Sequence, residues 1–281
     1  MDYIAIMSTQ SLYHKTPSFI TAGQFATPQT LRLPQSLRLY LGGTLRTFEP
    51  GAITLLEGDR KSIRELHQEL LRVMVHAVMD QWQIKLIDIS NTFDPHRLST
   101  LAFEEQVSPH HVLENISLAR PFQIFQSASI IKQLHEDVLK QPSTTPLETL
   151  LIVVTGISSQ FLDPGQASED KDFPVRQLEL LRHSLGILQG LAMLGATVIM
   201  TEHTEFHSPI PIQLPKEATV RYQDASLAYV SKVHLSVKQT EKHRTVILKT
   251  HPYKSQITVK IPIIEPKKRV DRKQTTLDNW F

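Results

Sequence analysis

Two stretches of the chain are apolar without alternation: Thr149-Leu150-Leu151-Ile152-Val153-Val154 and Ala196-Thr197-Val198-Ile199-Met200-Thr201. A strand with one wet face alternates, whereas a strand covered on both faces does not, and such strands belong to parallel sheets sandwiched between helices. Ala52-Ile53-Thr54-Leu55-Leu56, ending at Gly58, and Ile84-Lys85-Leu86-Ile87-Asp88-Ile89 read as two more core strands. Segments at helical spacing lie between them. Ser62 to Gln81 puts Ile63, Leu66, Leu70, Val73, Met74 and Ala77 on one face, and Pro95–Gln106, Ile124–Lys140 and Arg176–Leu194 follow. Strand–helix alternation predicts an α/β fold, a mainly parallel sheet with crossover helices on both faces. Further on the period changes. Leu227–Val230, Val233–Val237, Arg244–Lys249 and Gln256–Ile261 alternate and predict antiparallel strands at the C-terminal edge of the sheet.

The ends differ from this core. Residues 1–30 are polar and broken by Pro17 and Pro28, and they predict an arm; 31–264 form the core; 265–281 read as a charged tail expected to be disordered. Hydrophobic residues at 41% supply enough apolar material for a large core. The 30 Lys and Arg nearly balance 28 Asp and Glu, which argues against a generally basic nucleic-acid coat. Without cysteine, thiolate catalysis, disulfides and Cys-ligated zinc are excluded. No apolar run is long enough for a membrane span, and Met1-Asp2-Tyr3-Ile4 does not begin a signal peptide, so an intracellular location is expected.

Ligands of open parallel sheets bind beyond the carboxyl ends of the strands. There the first core strand runs into Gly58-Asp59-Arg60-Lys61-Ser62-Ile63-Arg64-Glu65. Laid on the phosphate-loop pattern G-x-x-x-x-G-K-[ST] from Gly58, the second glycine becomes Ile63, the lysine Arg64 and the hydroxyl residue Glu65. A β-branched side chain then stands where backbone must approach phosphate, and a carboxylate stands where a hydroxyl would ligand magnesium. Arg64 and Glu65 are expected to pair with each other or with solvent. Conventional nucleotide binding is not expected, nor is any cofactor.

Five segments, in order, carry a resemblance. Ser36 to Leu45 with Pro50 to Gly58, Asp88-Ile89-Ser90-Asn91-Thr92-Phe93-Asp94-Pro95-His96-Arg97-Leu98, Asn115-Ile116-Ser117-Leu118-Ala119-Arg120, Leu151 to Phe161, and Val198 to His203 resemble the ATPase core of RadA-type recombinases, the relatives of RecA. The resemblance spans about residues 19–264 and implies a RecA-like core. It also implies that the family's catalytic glutamate falls on Ser90, its Walker B aspartate on Thr155 and its sensor glutamine on His203. With the altered phosphate loop, four parts of an ATPase mechanism would be missing.

The terminal Gln274-Thr275-Thr276-Leu277-Asp278-Asn279-Trp280-Phe281 has the form Q-x-x-[LIM]-x-x-aromatic-aromatic. It resembles the peptide by which replication and repair proteins bind the sliding clamp PCNA. One helical turn would project Leu277, Trp280 and Phe281 into an apolar pocket, with Gln274 bonding at its edge. In the arm, Phe19-Ile20-Thr21-Ala22 resembles the F-x-x-A segment before the recombinase core, whose Phe and Ala enter pockets on a neighbouring protomer; Phe19 and Ala22 imply a recombinase, or a second copy, as partner. The two loops that bind DNA in that family fall on 162–172, which is acidic, and 207–224, which is proline-rich, so direct DNA contact is left open. His110-His111 and His203-Glu205-His207 read as solvated loop histidines rather than metal ligands. The expectation is a non-catalytic adaptor in DNA repair, recombination or replication. An ATPase with an atypical site, or a regulator that only blocks the clamp, are the alternatives.

Overall fold

A computed structural model of the chain describes residues 29–140, 147–161, 173–204 and 227–263. Ten strands and seven helices are described. A small antiparallel pair, β1 (Leu31–Arg32) and β2 (Thr47–Phe48), brackets helix α1 (Gln35–Tyr40). Then follow β3 (Ala52–Gly58), α2 (Arg60–Met79), β4 (Gln83–Asp88), α3 (Pro95–Glu104), α4 (Pro109–Glu114), β5 (Ile116–Ala119), α5 (Ile124–Lys140), β6 (Leu150–Thr155), α6 (Ile157–Phe161), α7 (Phe173–Met193), β7 (Thr197–His203), β8 (Val233–Gln239), β9 (His243–Thr250) and β10 (Ile257–Pro262). Eight strands form one sheet in the order β10-β9-β8-β3-β7-β6-β4-β5.

From β8 to β5 every pairing is parallel, and β9 alone runs the other way. β3 and β6 are buried at every position, as their unbroken apolar runs predict. Two cores result. Leu56, Leu86, Val153, Ile199 and Leu235 face α2 on one side, while Ile53, Leu55, Ile152, Val198 and Met200 face α5 and α7 on the other. The chain is therefore α/β, a large mainly parallel sheet between helical layers with antiparallel pairing at one edge.

Three expectations are corrected. Leu227–Val230 is not a strand: residues 227–230 are helical, with Leu227 buried, Tyr229 86% exposed and Ser231 Oγ closing the turn onto the Leu227 carbonyl at 2.6 Å. Four alternating residues fit a single helical turn as well as a short strand. β8, expected as antiparallel, pairs in parallel with β3 and only β9 turns back. Alternation reports which faces are wet and carries no strand direction. The stretch after Gly58, expected as a loop to Glu65, is already helix from Arg60.

No helix among the described residues is long and apolar enough to cross a membrane. Leu235 is fully buried between the sheet and α2. Leu235→Ala should lower the unfolding free energy by about 2–5 kcal/mol, whereas Tyr229→Ala should change it by less than about 0.5 kcal/mol; denaturant titration distinguishes the two.

Candidate functional site

A cavity of about 710 Å³ opens at the carboxyl ends of the parallel strands. Arg60, Ile63, Arg64 and His67 reach it from the first two turns of α2, Ser90 and Thr92 from the loop after β4, and His203 from the end of β7. The four α2 residues follow the i, i+3, i+4, i+7 rule of a single helix face. Arg60 and Arg64 are exposed, Ile63 is buried, and His67 is nearly so. Among the described residues no carboxylate lines the cavity.

The acidic groups nearby are turned inward and satisfied by the protein itself. Asp59 is the N-cap of α2, in extended backbone, and is the single residue between the end of β3 at Gly58 and the start of the helix at Arg60. Its Oδ1 accepts from Ser62 N at 2.8 Å and its Oδ2 from Gln239 N, at the end of β8, also at 2.8 Å. Burial opposes ionisation of this group, but the amides of Gln239 and Ser62 outweigh burial and hold its carboxyl below the ordinary range. A phosphate at a helix N-terminus takes amides such as that of Ser62. Here an internal carboxylate occupies it. Gly58 serves packing, since a Cβ there would stand 2.7 Å from the Val237 carbonyl of β8.

Asp88, at the end of β4, is fully buried. It accepts from the amides of Thr92 (3.0 Å) and Phe93 (2.9 Å), from Thr155 Oγ1 (2.8 Å) and from Arg120 Nη2 (3.0 Å). Burial pushes its carboxyl up, and this ring of donors overcomes the push and holds it below the usual range. Ser90 Oγ then donates to Thr155 Oγ1 at 2.8 Å. Glu57 lies 2.9 Å from His234 Nε2 and also pairs with Lys249 Nζ. Burial raises the Glu57 carboxyl, yet the bonds to His234 and Lys249 draw it down to about 2. Glu202, in register with Glu57 across β3 and β7, is pushed up by burial, although the Ser158 amide (2.8 Å) and the His203 amide (2.9 Å) bond to it.

Of the residues singled out in sequence, Ile63, Arg64, Ser90 and His203 converge on the cavity, and Thr155 joins them through Ser90. Gly58 lies behind, against β8. Glu65 does not join them. It accepts from Arg244 Nη2 (2.8 Å) and Gln239 Nε2 (3.0 Å), so its partner is Arg244 rather than Arg64, and Arg244 in turn lies 3.5 Å over the Tyr40 ring. Because α2 starts at Arg60, the ungapped register places Ile63, Arg64 and Glu65 inside the helix. The residues in its first turn are Arg60, Lys61 and Ser62, and Ser62 Oγ is buried without a hydrogen-bond partner. The Lys61-Ser62 dipeptide was the legible signal for this, had the pattern been allowed to shorten. His67 and Arg60 were missed too, though their spacing along α2 was available.

His110 pairs with Glu114 at 3.1 Å on α4, and no group of three or more His, Asp or Glu side chains suited to a metal occurs among the described residues. Phe19, Ala22, Gln274, Leu277, Trp280, Phe281, Glu205, His207 and both loops considered for DNA lie outside the described residues. No family model matches the chain.

Two outcomes follow from this geometry. Asp88→Ala orphans two amides, the Thr155 hydroxyl and Arg120, and should cost about 3 kcal/mol of stability by denaturant titration. His67 bonds Thr201 Oγ1 at 2.8 Å, and burial, aided by His203 and opposed by Asp88, lowers its pKa from 6.5 to about 4. The folded state therefore binds this proton less readily than the unfolded chain. The stabilisation is complete above pH 6.5 and is lost as pH falls toward 4. In His67→Gln the pH–stability curve should be flatter across that window, by roughly 3 kcal/mol.

Proposed function

We propose that the chain is a RecA-like core that has lost its ATPase chemistry and works as an adaptor in DNA repair, recombination or replication. The observation that carries the proposal is the Asp59 carboxylate bonded to the Ser62 amide, a first-turn donor of the kind a nucleotide's phosphate would need. Ser90 and Thr155, at positions where the recombinase resemblance calls for carboxylates, instead form a hydroxyl relay onto the buried Asp88. Neither can accept a proton from water at neutral pH as a general base would.

Such a scaffold acts by tethering, which raises local concentration without chemistry. The C-terminal Gln274, Leu277, Trp280 and Phe281 supply the clamp-binding end, with PCNA as partner. Phe19 and Ala22 supply a second end for a recombinase or another copy of the chain. A receptor of suitable form is available on the core: β5 is an edge strand, and between it and α5 lies a groove of about 230 Å³ lined by Leu118, Ala119, Ile130, Leu134 and Val138 among others. An extended segment adding to such an edge would use main-chain bonds for affinity and the groove for its anchors.

Deleting Gln274 to Phe281, or combining Trp280→Ala with Phe281→Ala, should weaken binding to purified PCNA at least about 100-fold, since paired aromatic anchors each contribute about 2 kcal/mol or more. The melting temperature of the core should not move. Full retention of clamp binding by surface plasmon resonance contradicts the assignment of the tail.

A further inference from the structure

The positive charge of this chain is not spread evenly. Residues 227–263 hold seven Lys and Arg against one acidic residue, Glu241, while the whole chain holds 30 against 28, so the rest has an acidic excess. None of the residues of β8, β9 or β10 is acidic. Register then decides where these cations point. Lys238 of β8 stands opposite Thr245 of β9, and Lys260 of β10 stands opposite the same Thr245. The two ammonium groups thus share one face, two strands apart, or about 10 Å at the backbone. Lys249 lies on that face as well, four residues along β9 from Thr245, and Lys242 sits in the turn between β8 and β9.

The neighbouring cations are occupied. Arg244, on the opposite face, is held by Glu65, and Lys249 is held by Glu57. Lys238, Lys242 and Lys260 are exposed, and their side chains have no hydrogen bond or ion pair with the described residues. Thr258, in line with Lys260 on β10, is exposed too. Among the described residues the carboxylates around these strands are Glu241, beside Lys242 in the turn, and Asp59, Glu65 and Glu57, which are already held by Gln239, Arg244 and Lys249. An isolated lysine on an edge strand guards against strand pairing. That role calls for Lys260 alone and leaves Lys238, on an inner strand, and Lys242 unexplained.

We infer that the exposed part of this face, at the end of β8 and along β9 and β10, binds the sugar–phosphate backbone of nucleic acid, without sequence preference, through Lys238, Lys242 and Lys260. Lysines on flexible stems over a sheet meet phosphates as point charges and read no base edges. Threonine hydroxyls between them add neutral donors. The inference rests on the charge and register of these strands alone, and holds whether or not the tail binds a clamp.

The test is fluorescence anisotropy of a labelled mixed-sequence DNA duplex of about 20 base pairs with the full chain, at about 50 and about 200 mM salt. The intact protein should bind, and more weakly at the higher salt. Lys238→Ser/Lys242→Ser/Lys260→Ser should lose about tenfold in affinity at the lower salt and flatten the log–log salt slope by about two to three, near 0.9 for each lost phosphate contact. A control of equal charge at the far edge, Lys85→Ser/Lys132→Ser/Lys140→Ser, should stay within about twofold, as expected when local contacts rather than net charge decide. Melting temperatures confirm that both variants fold. Absence of duplex binding by the intact chain, equal losses in both variants, or unchanged affinity with new aggregation in the first variant each overturns the inference. So does loss of clamp binding with DNA binding intact, which makes the face a protein interface.

Discussion

The upper rim of the sheet depends on carboxylates that are satisfied from within. Asp59 ties the start of α2 to the end of β8, Asp88 ties the loop after β4 to β6 and Arg120, Glu57 ties β3 to β8 and β9, and Glu202 ties β7 to α6. A buried carboxylate without partners is costly, and each of these is placed where neighbouring strands end and their amides or cations converge. The loops at the functional end of the sheet are thereby locked by internal bonds. In an enzyme of this architecture the same region would hold acidic groups free to meet a metal or a water molecule. Among the described residues the cavity is lined by two arginines, two histidines, two hydroxyls and Ile63, with no acid.

Substitution in this setting is physically self-consistent. The Thr155 hydroxyl donates to Asp88 and the Ser90 hydroxyl donates to Thr155, so both side chains help hold the buried carboxylate in place. With a single residue between β3 and α2, Asp59 caps the helix directly. Glu65, no longer near the site, stabilises the packing of α2 against β8 and β9 through Arg244, whose guanidinium stacks on Tyr40. Residues that look like failed catalytic parts in the sequence are therefore working structural parts in the fold.

Much of the fold was readable because burial on both faces leaves an unmistakable pattern. The runs at β6 and β7 and the amphipathic face of α5 correspond to the observed elements within a residue or two. Direction and register were not readable: nothing local to Val233–Val237 distinguishes pairing with β3 in parallel from pairing in reverse. At the site, Arg64, Ser90 and His203 were legible by position, but the Asp88–Arg120 pair spans 32 residues and exists only once β4 and the segment after β5 lie side by side. The start of α2 was legible in principle, since Asp59 is a good N-cap followed by a helix-period run; an ungapped match to a longer motif concealed it.

The central claim is that this rim no longer accepts a nucleotide in the manner of an ATPase, and calorimetric titration of the intact chain with magnesium-ATP tests it most directly. The account predicts no saturable heat up to about millimolar ATP, a binding energy weaker than about −4 kcal/mol, with the same result when magnesium is omitted. Magnesium-dependent binding in the micromolar range, abolished by Arg64→Ala, would contradict it.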